Sequence, residues 1–143
     1  MPTPEQRLLL QESWAKIAKD GDRLATLFYE RLFELDPSIR PMFAKTDMVA
    51  QRRKFLQMLG DILRVIDYPD ALFPEAVGLA RRHVGYGVVS SHYETVGQAL
   101  VWMLEEGLGD AFSGEVRRAW SDAYRFVSVL MQRATDTPAS ARS

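Results

Sequence analysis

LFYERLFELDPSIRPMF, residues 27–43, decides the fold class. Leu27, Phe28, Leu32 and Phe33, with Leu24 just ahead, recur at three- and four-residue spacing, the period of one helix face. The strict alternation of a half-buried strand is missing. Asp36-Pro37 then stops the helix, because proline lacks the interior amide hydrogen and restricts the residue before it. With Pro41 close behind, Pro37–Met42 is predicted to be a short, tight helical turn, and the helix before it to span Asp22–Leu35.

The same punctuation extends in both directions. Upstream, Thr3-Pro4-Glu5-Gln6 reads as an N-cap, a proline in the first helical position and a glutamine reaching back to close a capping box. That helix buries Leu10, Trp14 and Ile17 and stops near Gly21. Downstream, Met48–Ile66 stacks Phe55, Leu59, Ile62, Leu63 and Ile66 on one face, and Asp67-Tyr68-Pro69 ends it. Asp70–Val88 follows, with Pro74 tolerated in a first turn. Ser91-His92-Tyr93-Glu94 is read as a second capping box opening a helix to Leu108, and Ser113 caps a last one over Gly114–Ala134. The expectation is an all-α chain of seven to eight helices with short loops, one domain over residues 1–135, and a small, polar, disordered tail over residues 136–143.

Composition narrows the function. The chain has 143 residues, 47% hydrophobic and 26% charged, enough for one domain with a real core. Its net charge is −1, and Arg52-Arg53-Lys54 is the longest basic tract, which argues against nucleic acid. No basic start followed by an apolar run suggests a secretory leader, and no stretch approaches a membrane span, so a cytoplasmic location is expected. Cysteine is absent, which excludes disulfides and thiolate ligands. There is no glycine-rich phosphate loop and no serine–histidine–acid signature. Metal chemistry is left to His83, His92 or oxygen ligands.

Five segments, in order, carry a family resemblance: ESWAKI (Glu12–Ile17), LFYERLFELDPSIRPMF, QRRKFLQMLG (Gln51–Gly60), RRHVGYGVVSSHYETVGQAL (Arg81–Leu100) and AWSDAY (Ala119–Tyr124). Over about residues 5–135 the chain resembles the globin family, nearest the bacterial single-domain globins and the globin domain of flavohaemoglobins. The resemblance implies a globin fold around one pocket for haem b, with His83 as the axial iron ligand. Imidazole is a good axial donor, and the carbonyl of Leu79, one turn earlier, is placed to fix its tautomer. His92 is expected to be structural, at a helix start. Phe43 matches the aromatic that stacks on the porphyrin. Tyr29 and Gln51 match two distal positions that face bound gas, and Phe55, where many relatives carry a smaller aliphatic, would narrow that side. Leu59, Val88, Val96 and Leu100 would line the pocket, and Lys54 would reach a haem propionate. Tyr93 resembles a proximal tyrosine that works with a glutamate, whose position is taken here by Thr135, so the pair is incomplete. Taken without the family frame, His83 is a surface histidine, Gln51 and Lys54 are solvated helix surface, and the apolar and aromatic residues are plain core.

Three functions follow from the resemblance. The first is reversible binding of oxygen or another small gas, for storage, delivery or scavenging, with Tyr29 and Gln51 donating hydrogen bonds to it. The second is nitric oxide dioxygenation with a separate reductase, so whether the chain is an enzyme stays open. The third is a haem-free helical interaction or sensor protein. No nucleic-acid or membrane partner is expected.

Overall fold

Local chemistry sets the first helix. The Thr3 hydroxyl accepts the Gln6 amide and the Gln6 side chain accepts the Thr3 amide, both at 3.1 Å, which closes the expected capping box. The computed structural model describes the backbone of residues 2–142 and the side chains of residues 2–135. Its helices are α1 (Pro4–Ala18), α2 (Gly21–Leu35), α3 (Met48–Val65), α4 (Pro69–Gly85), α5 (Ser90–Leu108) and α6 (Gly114–Arg142). Short 3-10 segments, Pro37–Phe43 and Gly109–Ala111, complete the α2–α3 and α5–α6 connections. Among the described residues there is no strand, as the helical periodicity predicts. The expected tail, residues 136–143, lies outside the described side chains.

Packing pairs α2 with α5 and α4 with α6, while α1 crosses α5 and α6. Leu10, Ile17, Leu24, Met103 and Leu104 are essentially fully buried where α1, α2 and α5 meet. Each such side chain contributes about 1.5–3 kcal/mol relative to exposure. Gly107 permits the close approach: a Cβ there would lie 2.6 Å from Ile17 Cδ1 and 2.7 Å from Leu24 Cδ1. On the same face of α1, between Leu10 and Ile17, the buried Ser13 hydroxyl accepts the Trp120 indole N–H at 2.8 Å, which ties α6 to α1. A smaller apolar cluster, Ala76, Leu79, Ala80 and Met131, joins α4 to α6.

Four boundaries differ from the pattern, the largest being that α6 runs on to Arg142 rather than ending at Ala134. α4 ends at Gly85 rather than Val88, because the chain turns at Gly87 with φ of +89°, a conformation that favours glycine. Pro69 opens α4 rather than closing α3, and Pro74 sits past the first turn, inside the helix. α5 begins at Ser90, so Ser91 is not its cap; instead His92 Nδ1 accepts the Val89 amide at 3.2 Å. At α6 the expected cap forms, the Ser113 hydroxyl accepting the Val116 amide at 3.2 Å.

Candidate functional site

Helices α2 to α6 enclose a cavity of about 380 Å³, within the usual range for a small-molecule or cofactor site. Every residue singled out from the sequence lines it. Tyr29 enters from α2, Phe43 from the first 3-10 segment, and Gln51, Lys54, Phe55 and Leu59 from α3. His83 comes from α4, Val88 from the following loop, and Tyr93, Val96 and Leu100 from α5. A second depression of about 460 Å³ lies between α1 and α3 along Trp14, Gly60 and Arg64. It is an open surface groove in which Arg64 is already paired with Asp61 at 2.6 Å, and it holds none of these residues.

On the α2–α3 side, one hydrogen bond organises the polar groups. Asp47 caps α3 by accepting the Val49 and Ala50 amides at 3.0 and 3.3 Å, which sets the first turn carrying Gln51. The Gln51 Nε2–H then donates to the Tyr29 hydroxyl oxygen at 3.1 Å. Because that oxygen accepts from Gln51, the tyrosine's own O–H is left to donate, and no acceptor for it exists among the described residues. Burial pushes the Tyr29 pKa up to about 12, against the opposing pull of the Gln51 hydrogen bond, so the hydroxyl stays a donor at neutral pH. Aromatic neighbours hold the ring. Phe28, Phe43 and Phe55 lie edge-on to it at 5.0, 5.6 and 5.7 Å, and Phe55 stacks on Phe28 at 4.2 Å. Phe55 therefore both narrows the cavity and braces Tyr29.

On the α4 side, His83 is half-buried and its Nδ1 lies 2.7 Å from the Leu79 carbonyl. A carbonyl can only accept, so Nδ1 carries the proton and Nε2 keeps its lone pair. Burial holds the imidazole below its ordinary pKa, outweighing the Leu79 carbonyl, and Arg82 pushes in the same direction as burial. The neutral, metal-binding form is thus the one the site favours. The His83 side chain has no hydrogen bond to a carboxylate among the described residues. Thr135 donates its hydroxyl to the Gln132 carbonyl at 2.9 Å and does not line the cavity.

Two features escaped the sequence reading. His92, expected only at a helix start, caps α5 and also lines the cavity. Tyr124, within AWSDAY, lines the cavity and donates its hydroxyl to the Tyr93 carbonyl, which ties α6 to the start of α5. Burial and the nearby Tyr93 push its pKa well up. A Cβ at Gly97 would lie 2.8 Å from the Tyr124 ring, so the glycine was the available signal for this close crossing. Met58 and Met131 also line the cavity and were not picked out.

The residues present fit a haem. Among the described residues no three His, Asp or Glu side chains gather to cage a metal. His83 therefore offers one neutral imidazole to a largely apolar cavity, the Nδ1 of the other histidine there, His92, being taken up by the Val89 amide, and this suits a metal whose other donors come from a flat, largely apolar macrocycle.

Comparison with known proteins agrees on the class. The Globin family model matches residues 26–130, and the chain belongs to the globin family, a haem-binding family. A Flavohemoprotein of Xylella fastidiosa is 32% identical over 91% of this chain and 33% of its own length. A Flavohemoprotein of Bordetella parapertussis is 29% identical over 99% of this chain and 37% of its own. The chain thus spans about a third of the length of the curated relatives it matches. Among solved structures, a bacterial globin from Campylobacter jejuni superposes with a TM-score of 0.78 at 23% identity, covering 94% of this chain and 99% of that one. A hexacoordinated heme protein from an anhydrobiotic tardigrade gives 0.84 at 16% identity, covering 92% and 94%. Both likenesses establish the fold. No helix among the described residues is long and apolar enough to cross a membrane.

Proposed function

We propose that this globin holds haem b through His83 and binds oxygen reversibly beside the Tyr29–Gln51 pair. The observation that carries the reading is the Gln51-to-Tyr29 hydrogen bond, which leaves one buried O–H donor with no acceptor among the described residues. Haem iron, when bound, would supply an open axial position for a diatomic gas. The protein's own part is to keep water scarce with Phe28, Phe43 and Phe55 and to offer a fixed donor where negative charge develops. Phe43 and Leu59 would pack against the macrocycle, and the exposed Lys54, at the cavity's opening, would meet a propionate. Because the hydroxyl is held in place before the ligand arrives, little ordering cost remains at binding.

The similarity to flavohemoproteins favours a second reading, nitric oxide dioxygenation, in which oxygen, nitric oxide and one electron from a reductase give nitrate. The His83 environment weighs against it. Its Nδ1–H meets a backbone carbonyl, and a carboxylate acceptor would make the imidazole a stronger donor to iron. A cytoplasmic setting belongs to the same proposal. The test is an absorption spectrum of the reduced, haem-loaded protein through cycles of oxygenation and evacuation. Reversible spectra support the proposal. Loss of the oxygenated spectrum with stoichiometric nitrate, on adding nitric oxide and a reductase, at turnover rates would favour the second reading.

A further inference from the structure

The connection between α4 and α5 has the anatomy of a docking surface. Of the nine large apolar side chains exposed among the described residues, three, Val84, Tyr86 and Val89, fall within six residues and are 54%, 65% and 56% exposed. Backbone hydrogen bonds make this stretch a firm knob. The Tyr86 amide donates to the carbonyls of Arg82 and His83 at 3.1 and 3.0 Å, Gly87 to Val84 at 3.0 Å, and Val88 to His83 at 3.0 Å. Arg81 and Arg82 stand exposed at its edge, and neither has an ion-pair partner among the described residues. From Ala76 to Tyr93 there is no acidic residue, although the whole chain carries 19 acidic against 18 basic side chains. Exposed tyrosine and arginine around aliphatic side chains is the composition of interaction surfaces rather than of ordinary solvated loops. The knob also reaches the site: Tyr86 lines the cavity, and its ring lies 6.3 Å from the His83 ring.

We infer that this patch receives the carboxylate-rich face of a one-electron donor protein, with Tyr86 as the central contact. The inference rests on the haem reading, since a donor is needed wherever ferric iron must return to ferrous. One electron leaves the donor's reduced cofactor, the iron gains it, and no bond forms or breaks. Unpaired arginines supply the complementary charge, which acts mainly on the association rate and weakens with salt. Docking over Tyr86 places the donor one aromatic ring from the proposed axial ligand.

The test uses the haem-loaded protein and a flavodoxin, a small acidic flavin protein, as probe. Binding of oxidised flavodoxin is followed by calorimetry, and reduction of the ferric protein by photoreduced flavodoxin by stopped flow, at low salt and at 1 M. Electrostatic steering is typically worth about 10- to 1,000-fold in association rate. The R81E/R82E double variant is therefore expected to lose about 10- to 100-fold in both affinity and rate at low salt, and to converge on the unaltered protein at high salt. Tyr86→Ala should weaken binding about tenfold at either salt. R117E/R118E makes the same charge change about 20 Å away along α5 and α6 and should stay within about twofold. Should R81E/R82E fail to load haem, R81Q/R82Q replaces it, with half the change in charge. The inference is overturned if the unaltered protein does not bind flavodoxin at low salt, or if both double variants behave alike. Binding to phosphatidylglycerol vesicles that requires Arg81 and Arg82, while flavodoxin binding does not, would overturn it in favour of a lipid surface. Failure of the haem reading is separately visible, as no haem uptake by the unaltered protein.

Discussion

Tyr29→Phe removes one oxygen atom and leaves the ring among Phe28, Phe43 and Phe55, so it isolates the donor. A hydrogen bond to a charged acceptor contributes about 1.5–3 kcal/mol, and 1.4 kcal/mol is a factor of ten. Oxygen dissociation should therefore accelerate by about ten- to a hundredfold. Carbon monoxide carries less charge when bound and should change by about threefold or less. The Gln51 geometry adds a second expectation. Since Gln51 donates into the Tyr29 oxygen at 3.1 Å, part of its effect passes through the tyrosine, by orienting and polarising the O–H. Gln51→Leu should therefore speed oxygen release less than Tyr29→Phe, and the double variant should fall short of the product of the two. Stopped-flow replacement of each gas measures all four proteins. Equal changes for oxygen and carbon monoxide in Tyr29→Phe, or no change in either, would refute the reasoning, because either result means the hydroxyl does not face the ligand.

Two further outcomes follow from the same geometry. Phe55→Leu removes a ring stacked at 4.2 Å on Phe28 and should raise gas association rates about tenfold while changing the oxygen-to-carbon-monoxide dissociation ratio little; flash photolysis checks it, and a large shift in that ratio would mean Phe55 sets the Tyr29 donor rather than the space. Tyr29 also predicts a pH dependence. Its folded pKa of about 12 lies above the ordinary value of 10.0, so its stabilising contribution is complete below pH 10 and is lost as pH rises through 12, by about 3 kcal/mol. Tyr124 acts in the same direction. Urea unfolding between pH 8 and 12 should show this fall, and Tyr29→Phe should flatten part of it; an unchanged slope in the variant would contradict the burial argument.

Much of this molecule is written locally in its sequence. Asp36-Pro37, the Thr3–Gln6 capping box and Ser113 act within four residues of themselves, and each sits where the pattern places it. The lining residues were legible for a different reason, since helical spacing puts Gln51 and Phe55 on one face of α3 and the family frame says what that face meets. What was not legible depends on contacts distant in sequence or on one backbone angle. The Tyr124–Tyr93 tie spans 31 residues and is foreshadowed only by Gly97, and the early end of α4 turns on the positive φ of Gly87. The α5 cap misled because a serine is the commoner cap, whereas here His92 supplies the acceptor one turn in. That exchange also brings His92 to the cavity wall, a place its sequence position did not suggest.

The central claim is that His83 Nε2 is the axial ligand, and the most direct measurement is the ferrous absorption spectrum of His83→Gly with and without added imidazole. The unaltered protein should take up one haem and give a five-coordinate ferrous spectrum. His83→Gly should lose that spectrum and most of its haem retention. Free imidazole should restore the spectrum by filling the space the side chain left, while the backbone carbonyl of Leu79 remains to orient it. An unchanged spectrum and full haem occupancy in His83→Gly without imidazole would contradict the account.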